Sequence, residues 1–183
     1  QQMVKYGVNI IKIRDTFVKE LNEIISVIHD KLSGGREHLF LEYEPSVKIE
    51  EYEEQLKRRR EQDIRILSTG IGPHRDDISF LVNGMDIRKF GSQGQQRTAA
   101  LSLKLAEIEL VARRIKDKPV LLLDDVLSEL DGNRKNYLME SISGIQTIIT
   151  CTGLDEFVSS KFQMDKIFKI VEGTVESEEY GRD

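Results

Sequence analysis

Ile10, Ile13, Phe17, Leu21, Ile24, Ile28 and Leu32 recur at spacings of three and four, with charged residues between them. That period places them on one helix face and predicts a single long amphipathic helix over residues 1 to 33, packed on a neighbour. Gly34-Gly35 then stops it. The pattern is already running at residue 1, which gives the expectation that polypeptide has been cut away upstream. Next, Leu39, Leu41 and Tyr43 alternate along "LFLEYEPSV" and predict a strand ended by Pro45.

"IEEYEEQLKRRREQD" predicts a charged helix. Its basic run over residues 57 to 60 could follow a nucleic-acid backbone. Glu53 and Glu54 stand four residues before Lys57 and Arg58, the favourable order for helical ion pairs, so a solvated, self-paired face is the simpler reading. From residue 64 the texture changes to strands and turns. Asn83-Gly84 between "ISFLV" and "MDI" predicts a hairpin. A boundary between a helical part and a strand-rich part is therefore expected near residues 63 to 70.

After the hairpin the chain reads as a long helix from "GSQGQQR" to about Lys116, a strand at 119 to 123, a helix near 133 to 143, a strand "QTIIT" and a final hairpin "IFKIVEGTV". This order is α/β, with parallel pairing inside a sheet.

Two stretches carry candidate chemistry. "PVLLLDDVLSELD" is an apolar run, as in a strand covered on both faces, that ends at Asp124 and Asp125. Ligands of open α/β sheets gather at such strand ends. Magnesium takes one or two carboxylates together with phosphate oxygens, so Asp124 would hold the metal, directly or through water, and Asp125 would face an attacking water. Strand alternation sends the two side chains to opposite sides. The alternative is that one carboxylate caps the following turn.

In "FGSQGQQRTAALSLKLAEIEL", Ser92 and Gln95 form a capping-box pattern at a helix start. Gly91 and Gly94 bracket the cap and would let a ligand approach the backbone. Free N–H groups and a hydroxyl there make an anion site, or merely a capped core helix. The helix body is apolar nearly all round, hence expected to be buried. A complete phosphate loop, G-x-x-x-x-G-K-[ST], is missing from the sequence: none of the thirteen glycines is followed by Lys and then Ser or Thr. By itself the chain is expected to bind ATP poorly.

The 183 residues are 39% hydrophobic and 32% charged, which excludes a disordered chain. No run reaches the roughly 18 apolar residues of a membrane helix, and the first ten residues do not form a secretory signal. One cysteine, Cys151, excludes an internal disulfide and fits a reducing, cytoplasmic setting. A net charge of −5 argues against coating DNA wholesale, though a local basic stripe could bind it.

"GPHRDD" (72 to 77), "FGSQGQQR" (90 to 97), "LLLDDVLSELD" (121 to 131) and "QTIITCT" (146 to 152) stand in the order found in the RecF family of bacterial recombination mediators. That family is similar to the ATPase heads of the SMC and ABC group. The resemblance covers almost the whole chain. It implies the C-terminal half of an ABC-type head, a sheet flanked by helices, over residues 66 to 183. Residues 1 to 65 would be part of a mostly helical arm, and the Walker A half would lie elsewhere.

The resemblance further implies that Ser92, Gly94 and Gln95 are the signature motif, which reaches across a dimer to the γ-phosphate of ATP. Asp124 matches the Walker B aspartate. Asp125 stands where most ABC-type proteins place a glutamate, about one methylene shorter, which implies slow hydrolysis. Ser128, Glu129, Leu130 and Asp131 match the D-loop. Thr150, with Cys151 and Thr152, stands where transporters carry a switch histidine, and a threonine takes up no proton at neutral pH.

ATP and Mg2+ are the implied cofactors. DNA at single-strand/double-strand gaps, RecR with RecO, and a second copy of the protein are the implied partners. Competing expectations are a non-enzymatic interaction fragment and an SMC-like repair head, the latter disfavoured because no long heptads flank the motifs. His74 and Arg75 are open, with an active-site or DNA contact on one side and an Arg75 pair with Asp76 or Asp77 on the other.

Overall fold

The structure, a computed structural model, describes residues 1–152 and 164–180. The chain divides into two compact units, Gln1–Lys118 and Pro119–Asp183.

The first unit begins with α1 (Gln2–Ser33), closed by Gly34 in the left-handed conformation. Strand β1 (Leu39–Glu44) follows, with Leu39 and Leu41 buried and Phe40 and Glu42 exposed, as the alternation requires. A 3-10 turn at Ile49–Glu51 leads into α2 (Tyr52–Ile66). On α2 the Glu53–Lys57 ion pair forms at 2.7 Å, in line with a self-paired face. Strands β2 (Asp77–Val82) and β3 (Met85–Asp86) make the hairpin. Asn83 and Gly84 both take positive φ, 50° and 81°, which gives the turn the twist of its strands. A four-residue helix, α3 (Ile87–Phe90), then precedes α4 (Gln93–Ile115).

The sheet order is β1-β2-β3, all antiparallel, with Leu39 opposite Val82 and Glu44 opposite Asp77. Val18, Leu21, Ile24 and Ile25 of α1, Leu39 and Leu41 of β1, Val82, Ile87, and Ala99, Ala106 and Leu110 of α4 share one core. Residues from both sides of position 65 are thus interleaved. The contact boundary falls at 118/119, whereas the change of sequence texture falls near 63 to 70, because β1 finds its partner strand beyond α2.

Helix α4 also departs from the expectation of burial all round. Ala99, Leu101, Leu105, Ala106 and Leu110 are buried, while Ala100 and Val111 are exposed. One face packs and the other is open.

The "GPHRDD" segment is tied down by Asp76, whose side chain is 1% exposed. It accepts hydrogen bonds from the Tyr43 hydroxyl and from Ser46 N (2.9 Å), and Arg14 Nη1 lies 3.5 Å away. Burial, then the hydrogen bond and charge of Asp76, push the Tyr43 phenol well above its ordinary range, so it keeps its proton to donate. Asp77 pairs with Arg88 at 2.7 Å. The expected Arg75 pair with Asp76 or Asp77 is therefore not what forms. Arg75 instead reaches Ser68 Oγ (3.3 Å), and His74 Nε2 lies 2.7 Å from Thr69 O.

The second unit holds β4 (Leu121–Asp124), α5 (Gly132–Ser141), β5 (Thr147–Thr150) and the hairpin β6 (Lys166–Val171) and β7 (Thr174–Tyr180). β4 and β5 pair in parallel, as the order of elements predicts. Leu123 is buried, but Leu122 and Ile148 are 70% and 57% exposed. Cover on both faces of β4, read from its unbroken apolar run, is not supplied by the described residues.

Candidate functional site

Asp124 ends β4, where the parallel register sets it opposite Thr150, the last residue of β5. The Thr150 hydroxyl donates to Asp124 Oδ1 and accepts from Asp125 N at 3.2 Å; that same N–H also reaches Thr150 O at 3.1 Å. A hydroxyl has one proton to give, so Thr150 spends it on orienting Asp124. All three residues are exposed.

Strand geometry stops at Asp124. Asp125 takes φ 50°, ψ 21°, a left-handed conformation that costs a non-glycine residue on the order of 1 kcal/mol. Asp is one of the residues that tolerates it. Simple alternation therefore does not set the direction of the second carboxylate. Nor does Asp125 cap the turn at Val126–Glu129, because its side chain makes no cap hydrogen bond. The turn is closed instead by Ser128, whose hydroxyl donates to Asp125 O at 2.8 Å.

Asp131 does cap. Its Oδ1 accepts from Arg134 N (3.0 Å) at the start of α5, and its Oδ2 lies 3.3 Å from Arg134 Nη1. Among the described residues no three His, Cys, Asp or Glu side chains gather as a ready metal cage. What this chain offers a metal is the exposed Asp124 carboxylate, which fits Mg2+ only if phosphate oxygens and water complete the shell.

The other predicted residues lie in the first unit, at the start of α4. The capping box forms in full: Ser92 Oγ accepts from Gln95 N (3.2 Å) and Gln95 Oε1 accepts from Ser92 N (3.0 Å). Acting there as an acceptor, the Ser92 hydroxyl keeps its own proton for an outside group. The N–H groups of Gln93 and Gly94 have no partner within the helix, as at any helix start. Ser92, Gln93 and Gly94 are all exposed. Among the described residues an added Cβ on Gly94 would meet only Ser92 Oγ, at 3.9 Å.

Reading by motif missed Glu37 and His29. Glu37 accepts from Gln95 Nε2 at 3.0 Å and also contacts the buried His29 ring. These partners stand 58 and 8 residues away in the chain, and no short spacing signals the first.

Known proteins resemble this chain over nearly its whole length. The DNA replication and repair protein RecF of Lachnoclostridium phytofermentans is 60% identical over 176 residues, covering 96% of this chain and 49% of that protein. RecF is what this chain resembles, over nearly all of its own length. The RecF of Agathobacter rectalis is 61% identical over 175 residues (96% of this chain, 48% of that protein), and that of Clostridium perfringens 41% over 180 (96% and 50%). The chain spans about half the length of the curated RecF relatives it matches. A scan against protein-family models finds no match.

The solved structure of the recombination mediator protein RecF with ATP, described as part of the RecFOR pathway, superposes with a TM-score of 0.80 at 40% identity. It covers 96% of this chain and 48% of that one. The RecF structure named as its ATPrS form gives a TM-score of 0.78 at 41% identity, over 94% and 47%. The α/β fold described above is thus shared with RecF. No helix among the described residues is long and apolar enough to cross a membrane.

Proposed function

We propose that this chain supplies two half-sites of a RecF-type, ATP-dependent DNA clamp acting in recombinational and gap repair. Residues 1 to 65 would belong to its arm and residues 66 to 183 to the C-terminal lobe of its ATPase head. In this reading the α4 start, with Ser92 and Gly94, binds the γ-phosphate of ATP held by a second subunit, and Gln95 supports it. Asp124 holds Mg2+ on the nucleotide of its own subunit, oriented by Thr150. Asp125 orients the attacking water, and the Ser128 to Asp131 segment faces the partner subunit. The metal, when bound, neutralises charge on the phosphates.

The observation that carries the reading is the α4 start. Three exposed residues, Ser92, Gln93 and Gly94, present a spare hydroxyl proton and unpaired N–H groups, and the glycine leaves room for a ligand. Closure around two ATP molecules would create the DNA-binding surface at gap junctions, and slow hydrolysis would release it. RecR, with RecO in the pathway, is the partner proposed for recombinase loading, in the cytoplasm.

In the full-length protein, Asp125→Asn is expected to lower ATP hydrolysis about 100-fold, the usual scale for losing a positioned base, while ATP-driven dimerisation persists. Steady-state phosphate release and light scattering read the two. Hydrolysis at the unsubstituted rate would remove Asp125 from the reaction.

The exposed face of β4 and β5 favours a second statement, that this chain alone is an interaction fragment without an ATP site of its own. Calorimetry of the chain with ATP and magnesium is expected to give no affinity tighter than about 100 μM, a binding free energy near −5.5 kcal/mol. Micromolar binding would defeat it.

A further inference from the structure

A chain of buried polar groups ends at the start of α4. His29 of α1 is fully buried, with ring Nδ1 2.9 Å from Ser102 Oγ and Nε2 3.3 Å from Glu37 Oε2. Ser102 Oγ gives its one proton to Thr98 O at 2.8 Å. It must therefore accept from Nδ1, which fixes a hydrogen on that nitrogen. The other carboxylate oxygen, Glu37 Oε1, accepts from Gln95 Nε2 at 3.0 Å. That contact leaves the Gln95 amide one orientation: its NH2 toward Glu37 and its oxygen toward Ser92 N–H, 3.0 Å away. The run is continuous from the buried side of α1 to the exposed cap.

We propose that Glu37 and His29 are positioning residues for the α4 start. They touch no phosphate. By holding the Gln95 side chain, they keep the capping box closed before a ligand arrives, so that Ser92, Gln93 and Gly94 present fixed donors. Without the Glu37 contact, Gln95 regains its rotamers and the Ser92 N–H is bonded only part of the time. A phosphate group would then have to order the cap as it binds, at a cost in affinity. This rests on the reading of α4 as a contact to a partner subunit's ATP.

The test compares Glu37→Ala with Glu37→Gln in the full-length protein. Glutamine can still accept from Gln95 through its amide oxygen and donate to a bare His29 Nε2. Two quantities are read: hydrogen exchange of the Ser92 and Gln95 amides without nucleotide, and ATP-driven dimerisation. Glu37→Ala is expected to speed exchange and weaken dimerisation by about tenfold each, the scale of one hydrogen bond to a charged group, with ATP binding by the monomer unchanged. Glu37→Gln is expected to restore both.

Unchanged exchange in Glu37→Ala would overturn the link. Faster exchange with full dimerisation would overturn the positioning role, and so would a glutamine variant no better than alanine. A Ser92→Arg protein run in parallel separates the two levels: if it dimerises normally, the phosphate reading itself fails and takes this inference with it.

Discussion

Ser92→Arg in the full-length protein is expected to abolish ATP-driven dimerisation while ATP binding by the monomer stays within about twofold. Three effects converge on this one position. The substitution removes the cap acceptor used by Gln95 N, at about 1 kcal/mol. It places a positive charge at a helix N-terminus, where the backbone already carries a partial positive charge. It also puts a bulky side chain beside the exposed Gly94, around which the described residues leave open room. The first effect alone belongs to Ser92→Ala, which should lower dimer affinity without eliminating the dimer. Sedimentation with and without ATP separates the three proteins. Full dimerisation of the arginine variant would mean that α4 does not face a second subunit's nucleotide.

The second large effect is on stability. Asp76→Ala is expected to cost about 3 kcal/mol, because it leaves two donors, the Tyr43 hydroxyl and Ser46 N–H, without their acceptor at about 1–3 kcal/mol each. Arg14 adds little, since its side chain is 45% exposed and can return to water. Urea unfolding measures the loss. A double-mutant cycle with Tyr43→Phe refines it: with the hydroxyl already gone, the cost of Asp76→Ala should shrink by about 1 kcal/mol. Strict additivity would show that the short Tyr43–Asp76 contact does not contribute to stability. The same result bears on "GPHRDD", where the structure gives Asp76 a structural role and leaves His74 and Arg75 exposed on local contacts to residues 68 and 69.

What could be read without coordinates was whatever repeats over two to four residues. The face of α1, the stop at Gly34, the alternation of β1, the turn at Asn83-Gly84 and the Ser92–Gln95 box all depend on neighbours within a turn or a pleat. Local sterics and hydrogen bonding decide them, so their spacing survives in the sequence. The strand read at 119 to 123 forms as Leu121–Asp124, one residue further on at its end and two shorter at its start.

Two inferences drawn from composition went too far. The apolar residues of α4 are not all buried, and the unbroken run of β4 is covered on one side at Leu123 and open at Leu122. An apolar run states what a strand tolerates; what covers it depends on other polypeptide.

The tertiary structure decided the rest. It paired β1 with β2 across α2, set Thr150 against Asp124, turned Asp125 out of the strand, and carried Glu37 to Gln95 and His29 to Ser102 across 58 and 73 residues. The sequence by itself determined the main elements and several of their caps, and pointed to candidate residues for phosphate chemistry, because those are short-range properties. Which of those residues are held, and by what, required the fold. A hydrogen bond between distant residues leaves no periodic trace in the chain; it exists only once packing has brought donor and acceptor within 3 Å or so of each other.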